Sequence, residues 1–215
     1  MILAVRHSLL VILLGVLTFA SVNARTVARL YLDSEPGAFV GHGLEHEVYY
    51  RLPQDRLAAR IAITLPDGTP TAVSFVFDSS LPGDPDGSLY FGTHALGIPI
   101  LPGYYSDARR FSSAPPGHPG LSVTFKGRAP SRLDGEFTIR SIGFFTDTSG
   151  PVARTQISHF DATFTQYTDF RPEALHGRFT YHVDGLAAIP IPGALVLLLS
   201  AVGVLAFGAR RPREH

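Results

Sequence analysis

The chain has 215 residues, and its 18 Lys plus Arg balance 18 Asp plus Glu. Its 21 Gly and 17 Pro stay below the roughly 25–30% of a low-complexity chain, and 45% apolar residues with 15 Phe and 8 Tyr suffice for a packed core, which excludes disordered and collagen-like chains. The lack of a basic excess excludes a nucleic-acid-coating role, and the absence of Cys excludes disulfides, Cys-ligated zinc, iron–sulfur clusters and a Cys nucleophile.

Residues 1–24 read as a secretory signal peptide. Arg6 and His7 form a short basic start, Leu9 to Ala20 is a 12-residue apolar run, and Val22-Asn23-Ala24 supplies a cleavage site after Ala24. The run is shorter than the ~20 apolar residues that span a bilayer. The implied partners are the Sec translocon and signal peptidase.

Residues 25–186 form one domain, and period-2 alternation dominates it. The predicted strands carry Val48, Tyr50 and Leu52; Ile61, Ile63 and Leu65; Val73, Phe75 and Phe77; Leu121, Val123 and Phe125; Phe137 and Ile139; Phe160, Ala162 and Phe164; and Phe179, Tyr181 and Val183. Each set alternates with polar neighbours, as a half-buried antiparallel sheet requires. Leu65-Pro66-Asp67-Gly68 predicts a hairpin turn, and Leu133-Asp134-Gly135 the opening of a strand. Gln54 to Arg60 is the one segment that suits a short helical turn. The Pro- and Gly-rich stretch from Leu81 to Gly120 reads as long loops around a short strand at Ser88–Phe91. The expected fold is all-β: a single antiparallel β-sandwich or jelly-roll-like domain, flanked by the signal helix and a C-terminal transmembrane helix.

Several short patterns bear on chemistry. His42-Gly43-Leu44-Glu45-His46 has the spacing of an inverted zincin motif, but that chemistry needs a helix, and here glycines flank His42 and a strand begins at His46. On a strand, residues four apart lie about 13 Å apart, too far for one metal. Glu45 and Glu47 share a strand face, about 7 Å apart, in the range of an inverting glycosidase pair, although such pairs ordinarily come from facing elements. Asp84-Pro85-Asp86-Gly87 resembles the start of a calcium loop without its distal Glu, and reads as a turn. No nucleophile elbow or phosphate loop occurs. No catalytic residue, metal ligand or cofactor is therefore assigned, and the domain reads as non-enzymatic. Tyr104 and Tyr105, in a loop, are the candidate ligand contacts, since tyrosine presents an apolar ring with a polar tip. The rival readings are a secreted polysaccharide hydrolase and a carbohydrate-binding module.

The C-terminus closes the chain in three parts. Residues 187–192 carry Ile189-Pro190-Ile191-Pro192, residues 193–209 form an uncharged apolar run, and residues 210–215 carry Arg210, Arg211 and Arg213. Seventeen residues give about 25 Å of helix, at the short end of the spanning range. Pro192 suits the helix start, and the arginines are expected on the cytoplasmic side. Without Arg6, Arg210, Arg211, Arg213 and Glu214, the remainder holds 14 basic and 17 acidic residues. Such a mildly acidic exported domain has no overall charge that draws polyanions.

This tail resembles the PEP-CTERM sorting signal, in the variant that reads Val-Pro-Leu-Pro-Ala. Ile189, Pro190, Ile191 and Pro192 match its first four positions by type, and Ile191 stands where the family usually has an acidic residue. The resemblance implies recognition by an exosortase, anchoring in the inner membrane, cleavage near the Pro motif, and delivery to the cell surface or an exopolysaccharide matrix. A second resemblance covers the domain. Ser34-Glu35-Pro36-Gly37-Ala38-Phe39-Val40-Gly41, Pro102-Gly103-Tyr104-Tyr105, Ala108-Arg109-Arg110-Phe111, Pro119-Gly120-Leu121-Ser122-Val123, Gly127-Arg128, Gly135-Glu136-Phe137-Thr138 and Phe160-Asp161-Ala162-Thr163-Phe164 are similar, in order, to blocks of an uncharacterised family of exported bacterial proteins. That family often carries two cysteines, and their places fall around Pro130 and Thr168. The resemblance implies fold and export, with no activity attached.

Overall fold

A computed structural model of the chain describes residues 26–51, 55–78 and 85–184. The signal segment with Ala24, the Pro motif, the apolar C-terminal run and the terminal arginines lie outside the described residues.

The described chain is almost entirely strand. In order it forms β1 (Thr26–Ser34), β2 (Glu45–Arg51), β3 (Arg56–Thr64), β4 (Pro70–Asp78), β5 (Gly87–Gly92), β6 (Gly103–Arg110), β7 (Gly120–Phe125), β8 (Leu133–Asp147), β9 (Arg154–Thr168) and β10 (Ala174–Val183), with single 3₁₀ turns at His94–Leu96 and Phe111–Ser113. Among the described residues no helix is long and apolar enough to cross a membrane. The all-β expectation holds, and the predicted Pro66-Asp67-Gly68 turn and the strands opening near Leu133 and Ser88 are where the residues place them.

Three segments depart from the sequence reading. Arg56 to Arg60 extends β3 rather than forming a helical turn, because backbone pairing with Ala59, Ala58 and Leu57 against β4 outweighs the local preference of Ala and Arg. β1 stands outside the predicted set, although Ala28, Leu30 and Leu32 are buried and alternate with Arg29, Tyr31 and Asp33. β6 replaces part of the supposed loop from Leu81 to Gly120, so Tyr104 and Tyr105 are strand residues. Its period is broken by a register shift between Tyr105 and Ala108, where Asp107 takes φ 55°, so no alternation is legible there.

All ten strands belong to one sheet in the order β2-β1-β10-β9-β8-β6-β7-β5-β4-β3. Every pairing is antiparallel except β6 with β7, which joins only Arg109 to Gly120 and Arg110 to Leu121. At that short joint the sheet folds back on itself. Phe75 on β4 meets Phe160, Phe179 and Tyr181 at ring separations of 5.0, 4.6 and 5.4 Å, and Phe77 stacks on Tyr50 of β2 at 5.0 Å. Phe91 on β5 meets Phe137 of β8 at 5.4 Å. The two arms thus enclose one core in which Phe75, Phe77, Phe91, Phe125, Phe137, Phe160 and Phe179 are all fully buried. Each such side chain contributes about 1.5–3 kcal/mol of burial, so the aromatic layer holds the arms together.

Besides the terminal strands β2 and β3, the fold leaves part of one inner strand without a strand neighbour. Beyond the β6 joint, β7 has no strand on that side. Its backbone is completed by other means: Phe125 and Arg128 exchange backbone hydrogen bonds, and the Gln166 side chain serves Val123. Gln166 Oε1 accepts from Val123 N at 2.9 Å, and its Nε2 donates to Val123 O at 3.2 Å. An amide thus does the work of a strand neighbour inside the core, where an unpaired backbone group is costly.

Candidate functional site

The face of the sheet turned away from the core carries the predicted ligand residue Tyr104. Strand pleating places alternate residues outside, and the register lines them up across six strands. Tyr104 stands opposite Thr138, Thr138 opposite Thr163, Thr163 opposite Arg178, Arg178 opposite Tyr31, and Tyr31 opposite Glu47. A parallel row runs from Glu136 through Thr165, His176 and Asp33 to Glu45. Six strands at about 4.8 Å spacing make a row of about 24 Å. The middle of this surface forms a shallow groove of about 340 Å³ whose walls include Tyr31, Tyr104, Glu136 and His176.

Three outward tyrosines, Tyr104, Tyr49 and Tyr31, are coupled to glutamates. Tyr104 Oη donates to Glu136 Oε2 at 2.6 Å, and Tyr49 Oη donates to Glu47 Oε1 at 2.7 Å. Tyr31 is hydrogen-bonded to Glu45, which raises its phenol pKa above the ordinary value, as Glu136 does for Tyr104. The Tyr49 hydroxyl, followed by the Arg29 guanidinium, lowers the pKa of the Glu47 carboxyl. Arg29 Nε donates to the same carboxylate at 2.5 Å. Arg178 forks onto both oxygens of Asp161 at 3.0 and 2.9 Å, a bidentate pair that holds it as a fixed cation. The surface therefore offers aromatic faces, threonine hydroxyls and immobilised carboxylates at strand intervals. Groups of these kinds have the chemistry to hydrogen-bond to and stack on a polyhydroxylated chain.

The two candidate tyrosines are not brought together. Tyr104 is 63% exposed on the outer face. Tyr105 points the other way, stacks on Phe137 at 4.9 Å, and donates from Oη to Leu101 O at 2.8 Å. As neighbours on a strand they occupy opposite faces, so Tyr105 packs against the core side and does not share the face of Tyr104. Tyr31, Glu136 and Arg178 join Tyr104 instead. The alternation in Arg29-Leu30-Tyr31-Leu32-Asp33 was the available signal for Tyr31, while the pairing of Tyr104 with Thr138 depends on a register that no local pattern shows.

The remaining motifs take structural roles. His42 sits in a turn at φ 60°, while His46 lies on β2 with its ring 4.8 Å from Phe125, so the two are not on one helix face. Glu45 and Glu47 do share the outer face of β2, one held by Tyr31 and the other by Arg29 and Tyr49. Asp86 is exposed just before β5, its backbone oxygen accepting from Lys126 N, and Asp84 lies outside the described residues. Among the described residues no group of three His, Asp or Glu is placed to hold a metal.

The Ser34–Gly41 block has a physical basis. Ser34 Oγ is buried, donates to Val40 O at 2.9 Å and accepts from Gly43 N at 3.1 Å. Glu35 Oε2 accepts from Ala174 N at 2.7 Å. Gly41 takes φ 88°, and a Cβ there would meet Ser34 Cβ at 2.6 Å, so the loop closes only over glycine.

Comparison with protein-family models, with characterised proteins and with solved structures gives no match for this chain.

Proposed function

We propose that the chain is an exported cell-surface or extracellular-matrix protein whose β-domain is a structural and adhesive module that contacts glycan. In this reading the Sec translocon carries it and signal peptidase cuts after Ala24. Residues 193–209 hold it in the inner membrane as a helix, and an exosortase acts at the tail bearing Ile189, Pro190, Ile191, Pro192, Arg210 and Arg211. The domain is a sandwich of jelly-roll type between these two segments. The observation that carries the adhesive reading is the exposed Tyr104–Glu136 couple at the head of a six-strand row of tyrosine, threonine and carboxylate. The pairing of Thr26 with Val183 supports the tethered arrangement, since it brings the two ends of the described domain side by side.

Two measurements test it. Mass spectrometry of the native protein from its own cells is expected to find a C-terminus near Pro192, and an intact Arg213-Glu214-His215 would reject sorting. Retention on immobilised exopolysaccharide is expected to drop on Tyr104→Ala with the fold intact; unchanged retention rejects the outer face as the contact. The rival hydrolase reading draws on Asp33 and Glu45, which oppose each other directly across β1 and β2. It predicts release of reducing sugar that disappears in Glu45→Gln.

A further inference from the structure

The loops at the end of the sheet opposite the chain ends gather cations. Arg110 closes β6 and donates from Nη1 to Ser131 O at 3.2 Å. The guanidinium of Arg132, the next residue, lies 4.3 Å over the ring of Phe170, a residue that is 77% exposed. Arg171 donates to Gly37 O at 3.2 Å, and Arg128 to Phe39 O at 3.3 Å while covering the Phe39 ring at 5.1 Å. Lys126 stands two residues from Arg128, in the same turn. Arg110, Arg132, Arg171 and Arg128 are thus each anchored on neighbouring loops of this end, through Ser131, Phe170, Gly37 and Phe39. Among the described residues none of these five forms an ion pair with a carboxylate.

The acids at this end are accounted for. Asp107 and Asp134 are both paired with Arg109. Glu35 Oε2 accepts from Ala174 N, and Asp169 Oδ1 accepts from Arg132 N at 2.9 Å. Glu173 lies beside Gly37. Asp86 lies beside Lys126, whose backbone N donates to its backbone oxygen. Five cations without a carboxylate partner thus face four acids outside the Arg109 cluster, two of which are engaged by backbone amides. Elsewhere the sign is opposite, since Thr26 to Asp184 carries 13 basic and 17 acidic residues in all. A cleft of about 280 Å³ between Arg109, Arg110, Ser113, Ser131 and Arg132 opens into the group.

We propose that this end is a second binding surface, specific for an acidic polysaccharide whose carboxylates enter the Arg110–Arg132 cleft and continue along Arg171, Arg128 and Lys126. A guanidinium stacked on a ring keeps its in-plane N–H groups directed outward, the geometry that grips a carboxylate by two bonds. Position selects the polymer over a lipid surface. β10 begins at Ala174 beside the cationic loops and ends at Val183, about 30 Å away at strand rise. A domain anchored beyond Val183 holds its cationic end away from the bilayer. That choice rests on the anchored topology proposed above; the charge geometry does not.

The test uses the full-length protein in neutral detergent on immobilised polygalacturonate, with dextran as the uncharged control and vesicles of anionic phospholipid as the competing surface. Retention on polygalacturonate and not on dextran is expected, falling steeply with added NaCl. Arg110→Gln with Arg132→Gln is expected to weaken it about tenfold, or ~1.4 kcal/mol, with an unchanged circular dichroism spectrum. If the double variant unfolds, Arg171→Gln and the salt dependence of the wild type decide. Equal retention of wild type and folded variants, absence of retention on polygalacturonate, or capture by vesicles in its place overturns the proposal. An unprocessed C-terminus with salt-sensitive polygalacturonate retention instead removes the sorting reading and leaves this surface standing.

Discussion

Gln166→Leu is the substitution that the fold should tolerate least for its size. Gln166 and Val123 are both 0% exposed, and the side-chain amide supplies both partners of the Val123 backbone. Leucine fills nearly the same volume, so the cost isolates the two lost hydrogen bonds. Each buried group left unpaired costs about 1–3 kcal/mol, which sums to roughly 2–6 kcal/mol. At about 2–4 °C per kcal/mol for a domain of this size, the thermal midpoint falls by roughly 5–20 °C. Urea unfolding followed by circular dichroism reads this as a lower midpoint at unchanged slope. Gln166→Glu sharpens the test. A protonated carboxyl can accept from Val123 N and donate to Val123 O, whereas the ionised form cannot donate and buries a charge. Its folded pKa must lie above the unfolded value of about 4.3. Relative to wild type, this variant therefore keeps its stability below that unfolded pKa and loses it as pH rises towards the folded pKa. A Leu variant within about 0.5 kcal/mol of wild type, or a Glu variant whose deficit is the same at pH 4 and pH 8, refutes the assignment of Gln166 as a substitute strand neighbour.

Ser34→Ala removes the bonds to Val40 O and from Gly43 N and is expected to cost about 1–2 kcal/mol, with faster hydrogen exchange confined to the 35–44 loop. Gly41→Ala, at φ 88° and against Ser34 Cβ, is expected to cost about 1–3 kcal/mol by thermal unfolding. The tyrosine pair separates cleanly: Tyr104→Ala should change stability by less than about 0.5 kcal/mol, and Tyr105→Ala, which uncovers Phe137, by about 1–3 kcal/mol. Burial lowers the pKa of His46 and His94, with the Lys126 charge adding to it at His46. Their neutral forms are favoured in the fold, so the unfolded chain takes up more protons below its own pKa near 6.5. Stability is then expected to decline as pH falls through 6.5 towards the lowered folded values. His46→Gln with His94→Gln should flatten that decline in calorimetry between pH 7.5 and 5; an unaltered slope refutes it.

Much of the architecture is written locally. Val73, Phe75 and Phe77, or Phe160, Ala162 and Phe164, alternate because one face of each strand must leave water, and the buried set matches that reading. The turn at Pro66-Asp67-Gly68 follows from Gly68 at φ 85° and from Asp67 Oδ1, which accepts from Thr69 N at 2.9 Å. The Ser34–Gly41 block also proves local in cause, as a loop closed by one serine and one glycine. β6 was not legible because its bulge at Asp107 destroys the period. Arg56 to Arg60 reads locally as a helical turn, but pairing with β4, a contact made across the Pro66 turn, overrides helix preference.

The functional surface divides the same way. Sequence alone determined eight of the ten described strands and most of their inward faces, because each depends on residues within a few positions of one another. Tertiary structure alone decided that Tyr104 and Tyr105 part company, that Tyr104 heads a row ending at Glu47, that Gln166 closes the edge of β7, and that Arg110 and Arg171 come to the same end of the sheet as Lys126, Arg128 and Arg132. Those outcomes depend on register and on the fold at the β6–β7 joint, where one residue of slip would turn every outward side chain inward.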